Sequence, residues 1–83
     1  MYKINITAKA KKELKVLEKK HQLAIGRIIE ELKEEPYLGK PLRRELTERF
    51  SFRVGVYRII YKVNKKDAVI DILTAGHRST VYE

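Results

Sequence analysis

At 83 residues the chain is long enough for a single domain spanning 1–83 and too short for two, because chains of this size bury only roughly 60% of their unfolded surface on folding. Hydrophobic residues make up 43% and charged residues 36%, and the apolar positions recur periodically, which excludes a disordered tail; cysteine is absent, which excludes disulfides, thiolate nucleophiles and sulfur-based zinc sites. The net charge of +8 points to a nucleic acid or an acidic protein as partner, the alternative being that the lysines serve solubility alone.

In chain order, Tyr2, Ile4 and Ile6 alternate with Lys3, Asn5 and Thr7, the period of a half-buried strand. Thr7 suits a helix N-cap. From Ala8 to about Lys20, Ala10, Leu14 and Leu17 share one face of an amphipathic helix whose other face is lined with lysines. A second helix is predicted to begin near His21 or Gln22, with Ile25, Ile28, Ile29 and Leu32 on its buried stripe and Pro36 ending it. A short polar turn between them predicts an antiparallel helix hairpin. Glu30, Glu31, Glu34 and Glu35 gather the negative charge on the exposed side, leaving the rest more basic than the total.

Tyr37 to Pro41 carries a loop signature around Gly39, and Leu42 to Glu48 reads as a loop or short edge strand. Phe50, Phe52 and Val54 then alternate with Ser51 and Arg53, Gly55 marks a tight turn, and Tyr57, Ile59, Tyr61 and Val63 alternate with Arg58, Ile60 and Lys62. After a polar loop over Asn64 to Asp67, the apolar run Ala68 to Ala75 suits a central strand. The plan is α+β: an N-terminal strand, two helices, then a three-strand antiparallel meander, with the helices on one face of the sheet and the other face left for function.

No apolar run approaches the roughly 20 residues that cross a bilayer, and the N-terminus lacks a hydrophobic signal segment, so the chain is expected to stay in the cytoplasm, away from membranes. Only His21 and His77 remain as imidazole ligands, without a carboxylate cluster, so no metal is expected. No glycine-rich phosphate loop, repeat or low-complexity segment is present, and no cofactor is expected.

Alternation puts Arg53 opposite Phe50, Phe52 and Val54, and Arg58 opposite Tyr57, Ile59 and Tyr61. Two guanidinium groups close together on the open face can grip a phosphate through paired hydrogen bonds; the other reading pairs them with acids such as Asp71. Gly76, His77, Arg78, Ser79, Thr80, Val81 and Tyr82 add an imidazole, a third guanidinium and a phenol at one edge of the sheet.

The stretch Arg53-Val54-Gly55-Val56-Tyr57-Arg58-Ile59-Ile60-Tyr61, followed by Gly76-His77-Arg78-Ser79-Thr80-Val81-Tyr82, resembles the signature of the RelE/ParE superfamily of toxin–antitoxin toxins, and the likeness covers nearly the whole chain. The resemblance implies a metal-independent ribonuclease that cuts messenger RNA in the ribosomal A site, with the ribose 2′-hydroxyl as nucleophile, and a cognate antitoxin that restrains it. It implies a phosphate contact for Arg58, a second arginine in Arg78 and a substrate-positioning aromatic in Tyr82. Ser51 and Arg53 stand where some RelE-type members carry a lysine pair, and neither is a general base near neutrality. His77 is then the residue expected to move protons. ParE-type members poison DNA gyrase without ribonuclease chemistry, which is the alternative target; an inactive member is the third reading.

Overall fold

The computed structural model describes residues 1–42 and 49–77. The N-terminal alternation builds β1 (Lys3–Ile6), with Ile4 and Ile6 packed against the core and Lys3 and Asn5 exposed. Thr7 ends the strand and starts α1 (Ala8–Lys15). Its hydroxyl accepts from the Ala10 amide at 3.3 Å and donates to the Ile72 carbonyl at 2.8 Å, so one side chain both caps the helix and ties it to the sheet.

α1 stops at Lys15 rather than near Lys20. The Gln22 side-chain amide donates to the carbonyls of Leu14 at 2.7 Å and Leu17 at 3.1 Å, which satisfies acceptors that a helix end leaves open and lets the chain turn at Val16–Glu18. α2 (Lys19–Glu34) therefore begins earlier than His21, and it ends just before Pro36, whose ring disfavours helical backbone in the residue ahead of it.

Beyond α2 come β2 (Lys40–Pro41), β3 (Arg49–Val54), β4 (Tyr57–Asn64) and β5 (Val69–His77). β2 falls within the Tyr37–Pro41 segment that reads as a loop, and of Leu42–Glu48, read as a loop or short edge strand, residues 43–48 lie outside those described. The strand order is β1-β5-β4-β3-β2. The expected antiparallel meander is β3, β4 and β5, and β1 joins it in parallel beside β5. Gly55 turns the first hairpin at φ +62°, a backbone conformation that costs glycine nothing. Ala10, Ile25, Ile29 and Leu32 of the helices form one core with Phe50, Ile59, Tyr61, Val63, Ile70, Ile72 and Ala75.

The β4–β5 pairing slips by one residue. Tyr61 faces Ile72 but Ile60 faces Thr74, leaving Leu73 extra, the signature of a β-bulge. Core positions on β5 thus run Ile70, Ile72 and then Ala75. At the slip, Glu13 of α1 accepts from the Thr74 hydroxyl at 2.7 Å and the Ala75 amide at 3.0 Å.

Tyr61 fastens the segment after α2. Its ring is fully buried and stacks on Phe50 with centroids 5.5 Å apart. Its hydroxyl donates to the Pro36 carbonyl at 2.9 Å and accepts from the Gly39 amide at 2.8 Å. Burial raises the pKa of this phenol above 10.0, and the hydrogen bond from Gly39 opposes that in part. Tyr61→Phe is expected to cost about 1–3 kcal/mol, because both backbone groups lose their partner. Since the folded pKa is raised, this group's contribution is complete below about pH 10 and is lost as pH rises through the folded value. Urea unfolding across roughly pH 8 to 11 should show wild-type stability falling more steeply than that of Tyr61→Phe.

Candidate nucleic-acid interface

The β3–β4 hairpin sets Arg53 directly across from Arg58, and directly paired residues project from the same face. Phe52, Val54, Tyr57 and Ile59 all pack in or against the core, so by alternation both arginines point to the face away from the helices. Arg53 is exposed and Arg58 half-buried. Ser51 shares their face and is buried, and its partner on β2 is Lys40. Together with Gly39, these four side chains line a recess of about 610 Å³.

Like charges directly opposite one another on a sheet repel, and arginine does not relieve the repulsion by losing its proton. An anion between them turns the repulsion into two charge-assisted hydrogen-bonded contacts. Asp71, the acid that the sequence offers as an alternative partner, accepts from the Asn5 amide at 2.8 Å and sits across from Lys62. It therefore belongs to a different row of the sheet from the arginine pair.

His77 is placed differently. After the bulge it pairs with Tyr57, and the two rings meet edge-on at 5.9 Å. Tyr57 also contacts His21 of α2, with centroids 4.7 Å apart, and His21 Nε2 lies 3.6 Å from the Glu18 carboxylate. The imidazole of His77 thus stands at the end of β5 on the Tyr57 side, while Arg58, across from Gly76, faces the other way. The structure brings Arg53, Arg58 and Ser51 together and sets His77 around the strand end from them; Arg78 and Tyr82 lie outside the described residues. Lys40, which the sequence reading passed over, joins the recess. Its strand has two residues, too few for any alternation to show.

On the helix side, a groove of about 810 Å³ runs between α1 and α2. Leu14, Ile25 and Ile29 contribute apolar surface, Gly26 contributes no side chain, and the exposed Lys9, Lys12 and Lys15 border it. Among the described residues no three His, Asp or Glu side chains gather as a metal-ion site, and no helix is long and apolar enough to cross a membrane.

Two helices packed with a five-stranded sheet in this order is an architecture shared with a chain of a solved toxin–antitoxin complex. The chain belongs to the family whose model is described as ParE toxin of type II toxin-antitoxin system, parDE, which matches residues 4–82. It is 35% identical to the toxin RelG of Mycobacterium tuberculosis, over 98% of this chain and 95% of that protein. The toxin–antitoxin complex RelBE2 of the same organism contains a chain that superposes with a TM-score of 0.83 at 35% identity, covering 93% of this chain and 98% of that one. The archaeal RelE–RelB complex of Pyrococcus horikoshii OT3 gives 0.78 at 30%, covering 96% and 98%. The superfamily resemblance and the α+β plan read from the sequence are both borne out.

The exposures of the two arginines separate their structural roles. Arg53→Ala is expected to leave the unfolding free energy within about 0.5 kcal/mol, as at other exposed positions. Arg58→Ala should cost roughly 1 kcal/mol because the residue is half-buried, with its Nε shut off from water. Urea midpoints at matched pH measure both.

Proposed function

We propose that this toxin cuts messenger RNA on the ribosome without a catalytic metal, gripping the scissile phosphate between Arg53 and Arg58. The observation that carries the reading is the direct pairing of the two arginines beside a recess on the face that the helices leave open. Cleavage by a ribose 2′-hydroxyl needs three things: removal of its proton, stabilisation of the charged phosphorane and protonation of the leaving 5′-oxygen. The guanidinium groups, set side by side by the hairpin register, supply the second. In this reading Ser51 lines the floor of the site, Arg78 adds a further phosphate contact and Tyr82 positions a base. His77 is the acid or base, since imidazole exchanges protons near neutrality; from the end of β5 it meets the substrate around the strand end rather than across the face.

A cognate antitoxin is the second partner, supported by the two related toxins solved with theirs. The groove between α1 and α2 is apolar and bordered by lysines, which fits an amphipathic helix with an acidic border.

Two experiments test these assignments. On programmed ribosomes, with magnesium kept only at the level that holds the ribosome together, wild type should cleave the message. Arg58→Ala should be slowed by about 10²- to 10³-fold, and His77→Gln should also lower the cleavage rate. Absence of cleavage together with inhibition of DNA gyrase would replace the ribonuclease reading; cleavage at the wild-type rate in His77→Gln would move proton transfer to another group. For the antitoxin, Gly26→Trp is the clean probe, because a Cβ at Gly26 meets nothing within 4 Å. It should preserve the unfolding midpoint and weaken antitoxin binding by about tenfold or more, a loss of about 1.4 kcal/mol.

A further inference from the structure

We infer that Lys40 is a third cation of the RNA site, binding the phosphate next to the one held by Arg53 and Arg58. The inference rests on the ribonuclease reading and extends it to the path that the RNA takes across the sheet.

Lys40 pairs with Ser51 on β3, and Ser51 lies two residues from Arg53 on the same face. Lys40 and Arg53 are therefore diagonal cross-strand neighbours, with Cα atoms about 7–8 Å apart. Arg58, Arg53 and Lys40 stand on β4, β3 and β2 in turn, one cation on each of three neighbouring strands spaced about 4.8 Å apart. A phosphate clasped between the paired arginines is already supplied with two donors. The diagonal offset of Lys40 suits the next phosphodiester along the chain, toward the β2 edge.

Chemistry agrees with that division. The planar fork of arginine fixes the geometry of a reacting phosphate, whereas the ammonium group of lysine is a mobile point charge suited to a phosphate that only needs holding. Neither of the ion pairs among the described residues, His21–Glu18 and Lys33–Glu30, engages Lys40.

Lys40 is also held by its neighbours in the chain. The Tyr61 hydroxyl pins Pro36 and Gly39 immediately before it, and a Cβ at Gly39 would lie 2.8 Å from that hydroxyl and 2.9 Å from the Ser51 carbonyl. Pro41 immediately after it restricts φ. An exposed lysine that only kept the protein in solution would need none of this. The backbone is held at Gly39 on one side and restricted by Pro41 on the other, which places the Lys40 backbone at the rim of the recess.

The test is single-turnover cleavage on programmed ribosomes with Lys40→Ala, Lys40→Arg and Arg58→Ala. Lys40→Ala should raise the toxin concentration giving half-maximal rate about tenfold while leaving the maximal rate within about twofold, and should lower the log–log salt slope by about 0.7, the share of one single-strand phosphate. Lys40→Arg should restore most of the loss. Synthetic messages with a neutral methylphosphonate at one phosphate flanking the cleavage point locate the contact: one flanking position should weaken wild type and leave Lys40→Ala unaffected. Lys40→Ala matching wild type in half-saturating concentration and salt slope, while Arg58→Ala is inactive, would overturn the assignment of Lys40 alone. So would equal sensitivity of wild type and Lys40→Ala to every neutral linkage. A wild-type protein that does not cleave removes the ribonuclease reading, and this inference with it.

Discussion

The one-residue slip between β4 and β5 governs which side chains share a face. Up to Ile72, β5 is paired on both sides, with β1 and with β4; past it, β1 has ended and the outer edge of β5 must find other partners. A backbone amide cannot be left without an acceptor in a partly buried place. Glu13 supplies one for Ala75, and Thr7 takes up the carbonyls of Ile72 and Leu73. Both come from α1 or its cap, so the same stretch that frees the edge of β5 also decides where the first helix lies.

The sheet divides its two faces by chemistry. One is apolar and meets the helices; the other carries Arg49, Lys62 and Asp71 in one row, Lys40, Ser51 and the buried Ile60 in the next, and the arginine pair beyond. Concentrating like charge this way is tolerable because most of these groups reach water, where screening is strong. Glu30, Glu31 and Glu34 lie on the last turns of α2, while Asp71 sits across from Lys62. Tyr61 links the two faces: its ring belongs to the core, while its hydroxyl fixes the backbone that leads into the cationic recess.

Much of this was legible in the sequence. The period-two runs gave β1, β3 and β4, the isoleucine stripe gave α2, and alternation alone placed Arg53 and Arg58 on one face. Three features were not legible, each for a physical reason. The bulge falls in Ile72-Leu73-Thr74-Ala75, where nearly every residue is compatible with either face, so no residue type marks the slip; that is why His77, read by its nearness in sequence to Arg78, emerges beside Tyr57. The early end of α1 depends on Gln22 reaching back to Leu14 and Leu17, side-chain bonds that periodicity does not register. Lys40 belongs to a strand too short to have a pattern, and its place is set by pairing with β3.

Gly39 carries a consequence for the genetics of such a toxin. Cells that survive unopposed expression are selected for damaged copies of the gene, and the damage need not fall on a residue that touches RNA. Any side chain at position 39 meets both the buried Tyr61 hydroxyl and the Ser51 carbonyl at under 3 Å, which strains the seating of the edge strand. Escape mutants collected without prior assumptions should therefore include changes at Gly39 and Tyr61 beside those at the arginines, and would outline the scaffold as clearly as the chemistry.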